Sequence, residues 1–475
     1  MTRVLTRDAT PHIGAMPPAQ TTRTSNGDAA AAEYYGDAHV RARIAEFCGA
    51  TEGRPPTAAY LAGLGPTHPN SEPPDLARSL WDLHHLLFFI QLDYLNADHP
   101  EEAFVHPADV LLKLEPAYRA CRAVFDALDL NVLSIATARG YHFVGQIPLD
   151  AIVIEALASL SGETPAWHAD HLARRRQGFP AMITARQARA ATGLGLLIEH
   201  AAHLILARRW TSPVPLVVNG TQVGTGLAGR ECVSIDFSHV GEPLDLVRLR
   251  TAFSPYRRHQ YRSDLFGTRV ADLPPLIALP RDRQPLVTLL TDGRGLNVGR
   301  DAARTASTAI PDIKRGIVRL MGNYLHSPLA VFHRTFLAER RHLTGPLPDW
   351  SAAALPPCIR APLERPNDLL LKPEHLQHVV RGLLANGWAA PKIAALVQQK
   401  FEEPHGWGDR WAQSDPRTRA DFDVRVFAGL VATGADELVD FNCVSAQEKD
   451  VCPRTGCPHD LCVDRDRLAS GRRML

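Results

Sequence analysis

The stretch Thr137-Ala-Arg-Gly-Tyr-His-Phe143 constrains this chain more than any other. The apolar run Asn131 to Ile135 precedes it and Phe143-Val-Gly-Gln-Ile147 follows. The segment therefore predicts two strands joined by a tight Arg-Gly turn, with His142 on a strand edge just past the glycine. Gly140 lets the backbone approach a ligand closely, Arg139 brings five donors in a fixed fork, and His142 adds a further donor. That set suits a polyanion. The same letters also suit a plain hairpin whose histidine is a satisfied strand residue.

Two other stretches bear on the choice. Leu86-Leu-Phe-Phe-Ile-Gln-Leu-Asp-Tyr-Leu-Asn96 is an apolar run carrying a carboxylate at Asp93, and it turns polar through Asn96, Asp98 and Pro100. Glu231-Cys-Val-Ser-Ile-Asp236 is a β-branched run ending in Asp236, followed by Arg248-Leu-Arg250 and Phe253-Ser-Pro-Tyr-Arg-Arg-His259. Carboxylates at strand ends, gathered by one sheet, hold a hard divalent cation against a nucleoside triphosphate.

In this order the three stretches resemble the archaeo-eukaryotic primase and primase-polymerase superfamily, over roughly residues 80 to 265. The resemblance implies an α+β fold, a mixed sheet flanked by helices, and nucleotidyl transfer on single-stranded or primed nucleic acid with Mg2+ or Mn2+. It implies Asp93, His142 and Asp236 as catalytic residues, with Asp93 and Asp236 as ligands of the cation. Arg139, Arg248, Arg250 and Arg257 would bind nucleotide, phosphates or template. One position departs from the pattern. Where the family carries two acidic residues flanking one apolar residue, this chain reads Gln91-Leu92-Asp93. Glutamine ligates through a carbonyl oxygen without charge, which weakens two-metal chemistry, and Asp98 is a candidate to compensate. Beside a transferase stand two other readings: a catalytically weakened or inactive nucleic-acid-binding protein, and a nuclease or nucleotide-sensing factor.

At 475 residues the chain has room for two or three domains. Its 52 basic and 51 acidic residues nearly cancel, so any nucleic-acid surface is a local patch. No charged-then-apolar leader and no apolar stretch of transmembrane length are visible, and a cytoplasmic protein without membrane partners is expected.

Residues 1–75 read as a flexible arm and linker, with a helical pattern from Ala30 to Ala50. Residues 76–345 form the expected primase-like domain, which opens with a helix Asp75 to Leu83 or with the strand after it. Within it Pro107 to Leu128, Leu149 to Leu160, Ala185 to Arg209 and Asp312 to His342 read as helices. Arg174-Arg-Arg176 reads as a basic loop, and Pro215 to Gly220 as a strand whose Asn-Gly turn leads by a hairpin into the Asp236 strand. The strand before Pro107, that helix and the return strand make a βαβ-like unit placing Asp93 and His142 on one sheet. His200 and His203 suit either metal ligation or packing with a polar tip. Gly293-Arg-Gly295 lacks the lysine of a phosphate loop and reads as a connection.

Beyond a proline-rich linker, Pro346 to Pro366, residues 367–475 read as a helical metal-binding domain. Lys372 to Asn386 and Ala390 to Phe401 have the outline of a helix-turn-helix or of a structural helical hairpin. His405-Gly-Trp-Gly-Asp-Arg-Trp411, with Arg417, Arg419 and Arg425, suits base stacking and phosphate contact or a core anchor with ion pairs. Cys48, Cys121, Cys232 and Cys358 are scattered, whereas Cys443-x8-Cys452-x4-Cys457-x4-Cys462 places four thiols on short loops. In a reducing compartment that cluster points to structural zinc or an iron-sulfur centre, with His459 as a substitute ligand.

Overall fold

The strand His85–Asn96 (β1) organises the molecule. Its side chains are buried on both faces from Leu86 through Ile90, and from Gln91 onward burial alternates, with Leu92 and Tyr94 covered and Gln91 and Asp93 half-open. One face of a central strand thus opens at the position where polar residues begin. In the computed structural model the described residues are 26–49, 76–82, 84–169, 183–208, 214–220, 230–243, 249–281, 285–343, 347, 349–350, 355–366, 370, 372–403, 415–452 and 457–471.

Five further strands join β1: Leu133–Ala136 (β2), Gly140–Pro148 (β3), Leu216–Val218 (β4), Glu231–Asp236 (β5) and Leu279–Pro280 (β6). The spatial order is β6-β2-β3-β1-β5-β4, antiparallel except for the β4–β5 pair. The fold is α+β with a mixed sheet. The helix Pro107–Ala127 (α1) covers one face: Phe125 meets Phe88 at 6.1 Å and Phe143 at 5.2 Å between ring centroids, and Tyr118 meets Tyr141 at 4.6 Å. Since β2 and β1 both run antiparallel to β3, they are parallel to each other, and β1-α1-β2 is a βαβ crossover with β3 inserted between its strands.

Several expectations are corrected. His142 lies on an interior strand, since β3 bonds to β1 and β2. β4 pairs parallel with β5, so no hairpin links them, although Asn219 and Gly220 do take the left-handed conformation that their turn requires. Residues after Asp75 form a short strand, Ala77–Arg78, paired with Leu249–Arg250, where a helix was one of the two expectations. The Asp312 to His342 helix is two helices, Lys314–Leu325 (α4) and Pro328–Arg341 (α5). Pro328 cannot continue a helix, and the Ser327 hydroxyl caps the new one by accepting the Ala330 N–H at 3.1 Å. The helices Val153–Ser161 (α2) and Ala185–Leu206 (α3) are slightly shorter than read.

Part of the expected arm is also structured. Asn26–Gly36 and Ala38–Phe47 are helices, the second capped by the Asp37 carboxylate. Tyr34 is fully buried and donates to the Phe253 carbonyl at 3.0 Å, while the Phe47 carbonyl accepts from Arg78 at 2.7 Å. Aromatic residues spaced along these helices give them a face to bury, which an arm lacks.

The C-terminal helices Pro373–Ala385 (α6), Ala390–Glu402 (α7) and Pro416–Thr433 (α8) share the hydrophobic core of the sheet region, which runs from Tyr34 through Phe125 to Phe427. The boundary at the proline-rich stretch is one of sequence, not of packing. Glu199 of α3 is fully buried where the two parts meet. It accepts from His333 Nε2 of α5 and from Arg425 Nε of α8, each at 3.0 Å, and Tyr324 of α4 closes the chain on His333 Nδ1 at 3.0 Å. His200 pairs with Asn323 at 2.7 Å and His203 with Thr433 at 3.2 Å, so these two histidines serve packing.

Burial by itself would raise the Glu199 carboxyl, but His333 and Arg425 hold it at about 2, below the ordinary 4.5. Stability from this depression is complete above pH 4.5 and lost as pH falls toward 2. Arg425→Ala should strand the buried carboxylate and cost about 3–5 kcal/mol in urea unfolding at pH 7. In Glu199→Gln the loss of stability between those two pH values should flatten.

Candidate functional site

Cross-strand partners in an antiparallel sheet project to the same face. Gln91 stands opposite His142 on one side and Asp236 on the other, and Asp93 stands opposite Gly140 and Ser234. With the period of two along β1, the side chains of Gln91, Asp93, His142 and Asp236 therefore share the face away from α1. Asp93 and Asp236 are diagonal neighbours, a relation of about 7–8 Å in sheet geometry. The register thus gathers the expected trio.

Two cations border it. Arg139, in the β2–β3 turn, places Nη2 3.8 Å from Asp93 Oδ2. Arg250 comes from the small sheet formed with Ala77–Arg78 and lies over the Tyr256 ring at 4.5 Å. Burial pushes the Asp93 carboxyl above its usual range and Asp236 adds to this, against the pull of Arg139 and Arg250. Burial also works against the Arg139 cation, but Asp93, Tyr256 and Asp236 together outweigh it and the guanidinium is held more firmly protonated. The His142 ring is lowered to about 3 by burial and then by Arg250, so it is neutral at pH 7. It packs edge-on against Phe89 at 5.1 Å, and its buried Nδ1 has no hydrogen-bond partner. Asp236 Oδ1 accepts the Ser238 N–H at 2.8 Å, which fixes the carboxylate at the strand end.

Other candidates are placed differently. Asp98 does not compensate for Gln91: it lies past the end of β1, exposed, 3.4 Å from Arg230. Arg257 donates to Gln260 at 3.1 Å in the short helix that follows it. Arg248, the Arg174 to Arg176 loop and the His405 to Trp411 stretch lie outside the described residues. Arg417, Arg419 and Arg425 are engaged with Asp421, Asp423 with Glu242, and Glu199, and serve as anchors. A separate cavity of about 320 Å³ lies near the start of β1, between Trp81, Trp167 and the helices α5 and α8.

The C-terminal thiols approach one another partly. Cys443 Sγ and Cys457 Sγ both face the His459 carbonyl, at 3.9 and 4.0 Å, and the Leu461 N–H donates to Cys443 Sγ at 3.5 Å. Cys358, read as scattered, is drawn to this group. Its thiol is pushed up to about 12, by burial first and then by Cys452, Cys457 and Cys443. Cys462 is raised by burial, by Asp460 and, less, by Cys443. Among the described residues no three His, Cys, Asp or Glu side chains are arranged to hold a metal ion. Nothing in the spacing singled out Cys358, because its electrostatic coupling to the other thiols spans the whole C-terminal region.

The donor set of the cleft suits a hard cation and a phosphate chain: two carboxylates with an amide oxygen between them, two guanidiniums, and a neutral imidazole with an unused nitrogen. The pairing of β3 with β1 beside Asp93 depends on Gly140, where an added Cβ would stand 1.7 Å from the Leu92 carbonyl oxygen. Gly140→Ala should therefore part β3 from β1 at Asp93 and destabilise the fold by about 3 kcal/mol or more, measured by thermal and urea unfolding. No protein family model, curated protein or solved structure matches this chain.

Proposed function

We propose that the chain is a primase-polymerase-like nucleotidyl transferase acting on single-stranded or primed nucleic acid. The observation that supports it is the convergence of Asp93, His142 and Asp236 on one sheet face, bordered by Arg139 and Arg250. Asp93 and Asp236, with the Gln91 amide oxygen, would hold Mg2+ or Mn2+, which when bound neutralises phosphate charge and sharpens the acidity of an attacking hydroxyl. Arg139 and Arg250 bind phosphate oxygens of the incoming nucleotide. Neutral His142 donates one hydrogen bond to the same chain without adding charge. In the reaction a 3′-hydroxyl oxygen bonds to the α-phosphorus, the bond to the β-phosphate bridge breaks, pyrophosphate leaves, and the hydroxyl proton passes to solvent.

Gln91 favours a second reading, a primase-like groove that binds nucleic acid without catalysis. It occupies the central position between His142 and Asp236, where a carboxylate would complete a two-metal site. Labelled nucleotide, Mn2+ and a primed template separate the two readings. The transferase extends the primer, and Asp93→Asn or Asp236→Asn abolishes extension. A crippled site gains metal affinity and extension in Gln91→Asp. The binding protein extends in neither form, yet it holds single strands with a steep salt dependence that Arg139→Ala or Arg250→Ala weakens. Absence of nucleotide, metal and strand binding in every form would reject both.

For the C-terminus we propose a structural zinc or iron-sulfur centre among Cys443, Cys452, Cys457 and Cys462, with Cys358 as a further ligand. The contact of Cys443 and Cys457 with one carbonyl supports it, and the electrostatic effect of both thiols on Cys358 brings that residue into the set. Anaerobically purified protein should contain zinc or iron by elemental analysis. Both Cys358→Ser and Cys452→Ser should lower the metal content and the melting temperature, since structural metal binding is folding free energy of order 10 kcal/mol in small sites. Full metal content in Cys358→Ser would remove Cys358 from the set.

A further inference from the structure

Arg294 is a buried cation of unusual surroundings. It sits between Gly293, in the left-handed conformation at φ 70°, and Gly295, and its carbonyl accepts the Ile277 N–H at 2.7 Å. The side chain is 3% exposed. Nη1 donates to the Thr137 carbonyl and Nη2 to the Ala138 carbonyl at 3.3 Å, while Nε has no partner. Among the described residues no carboxylate pairs with it. Burial lowers the guanidinium to about 10, so it stays charged at neutral pH.

An unpaired buried cation is a poor device for stability, and an apolar side chain of similar volume would serve packing better. Its two partners are the carbonyls directly before the Ala138 and Arg139 N–H groups. In a trans peptide the C=O and the following N–H point in opposite directions. With the Thr137 and Ala138 carbonyls fixed on Arg294, the N–H groups of Ala138 and Arg139 are turned away from it. The Thr137 N–H is used by the Gly140 carbonyl at 2.8 Å, but among the described residues the Ala138 and Arg139 amides have no acceptor within the fold. Two amides turned to one side beside a guanidinium are the donors of an anion-binding concavity.

We infer that Arg294 is a positioning residue: by gripping the Thr137 and Ala138 carbonyls it presents the Ala138 and Arg139 amides, beside the Arg139 side chain, as a seat for a triphosphate. This rests on the reading of the cleft as a nucleotide site. The buried charge also favours an anion on the far side of the turn.

The test uses the full chain with inorganic tripolyphosphate and with a nucleoside triphosphate, by calorimetry, together with amide hydrogen exchange of the unaltered protein. Tripolyphosphate should slow exchange in the peptide spanning Ala138 and Arg139. Arg294→Lys keeps the charge but loses the fork, and should weaken tripolyphosphate binding about tenfold, with Arg294→Met weaker still. The loss should be smaller than additive when combined with Arg139→Ala, because both act through one turn. If Arg294→Met fails to fold, Arg294→Lys and the exchange measurement decide. Slowed exchange with a weakened Arg294→Lys supports the inference, and unchanged affinity in a folded Arg294→Lys or unchanged exchange on binding overturns it. If the unaltered protein binds and Arg139→Ala weakens it while the Arg294 variants do not, this inference alone falls. If the unaltered protein binds neither compound, the nucleotide reading falls first and carries this one with it.

Discussion

The close approach of Gly140 to the Leu92 carbonyl is the contact on which the rest depends. With no Cβ at 140, β3 lies against β1 so that Asp93 faces Gly140 and Ser234 across the sheet and Gln91 faces His142 and Asp236. A side-chain period of two then does the remainder, since one slip of register would send Asp93 into the apolar layer under α1. The turn is tied at both ends, by the Tyr94 N–H on the Arg139 carbonyl and the Thr137 N–H on the Gly140 carbonyl, each at 2.8 Å. Charge placement in the cleft is thus a consequence of backbone geometry.

On the Asp93 face of the sheet the charges pull against one another. Asp93 is held against ionisation by burial and by Asp236, while Arg139 and Arg250 oppose that shift. His142 is kept neutral and has a buried nitrogen without a partner. Away from the cleft the buried charges are closed on each other, as in Glu199 with His333 and Arg425, or Arg381 with Asp436 and Asp440 at 2.7 and 2.9 Å. The contrast separates groups that hold helices together from groups on the Asp93 face of the sheet. No helix among the described residues is long and apolar enough to cross a membrane.

What the sequence by itself determined is what local chemistry controls. A continuous apolar run gave β1, a β-branched run gave β5, an Arg-Gly turn gave the β2–β3 hairpin, and a long 3.6-residue repeat gave α1. That Asp93, His142 and Asp236 meet on one sheet was legible because each stands in such a run beside a turn or a change to polar residues. Tertiary structure decided what depends on partners far away in the chain. The parallel pairing of β4 with β5, the burial of the helices at 26–47, the removal of Asp98 to an exposed ion pair and the approach of Cys358 to Cys443 all follow from packing across long sequence separations. Arg294 shows the difference most directly. Flanked by glycines it carries no local signal for its role, and only the folded chain brings its guanidinium beneath the Thr137 and Ala138 carbonyls, because hydrogen bonds between remote segments are set by the sheet and not by either segment alone.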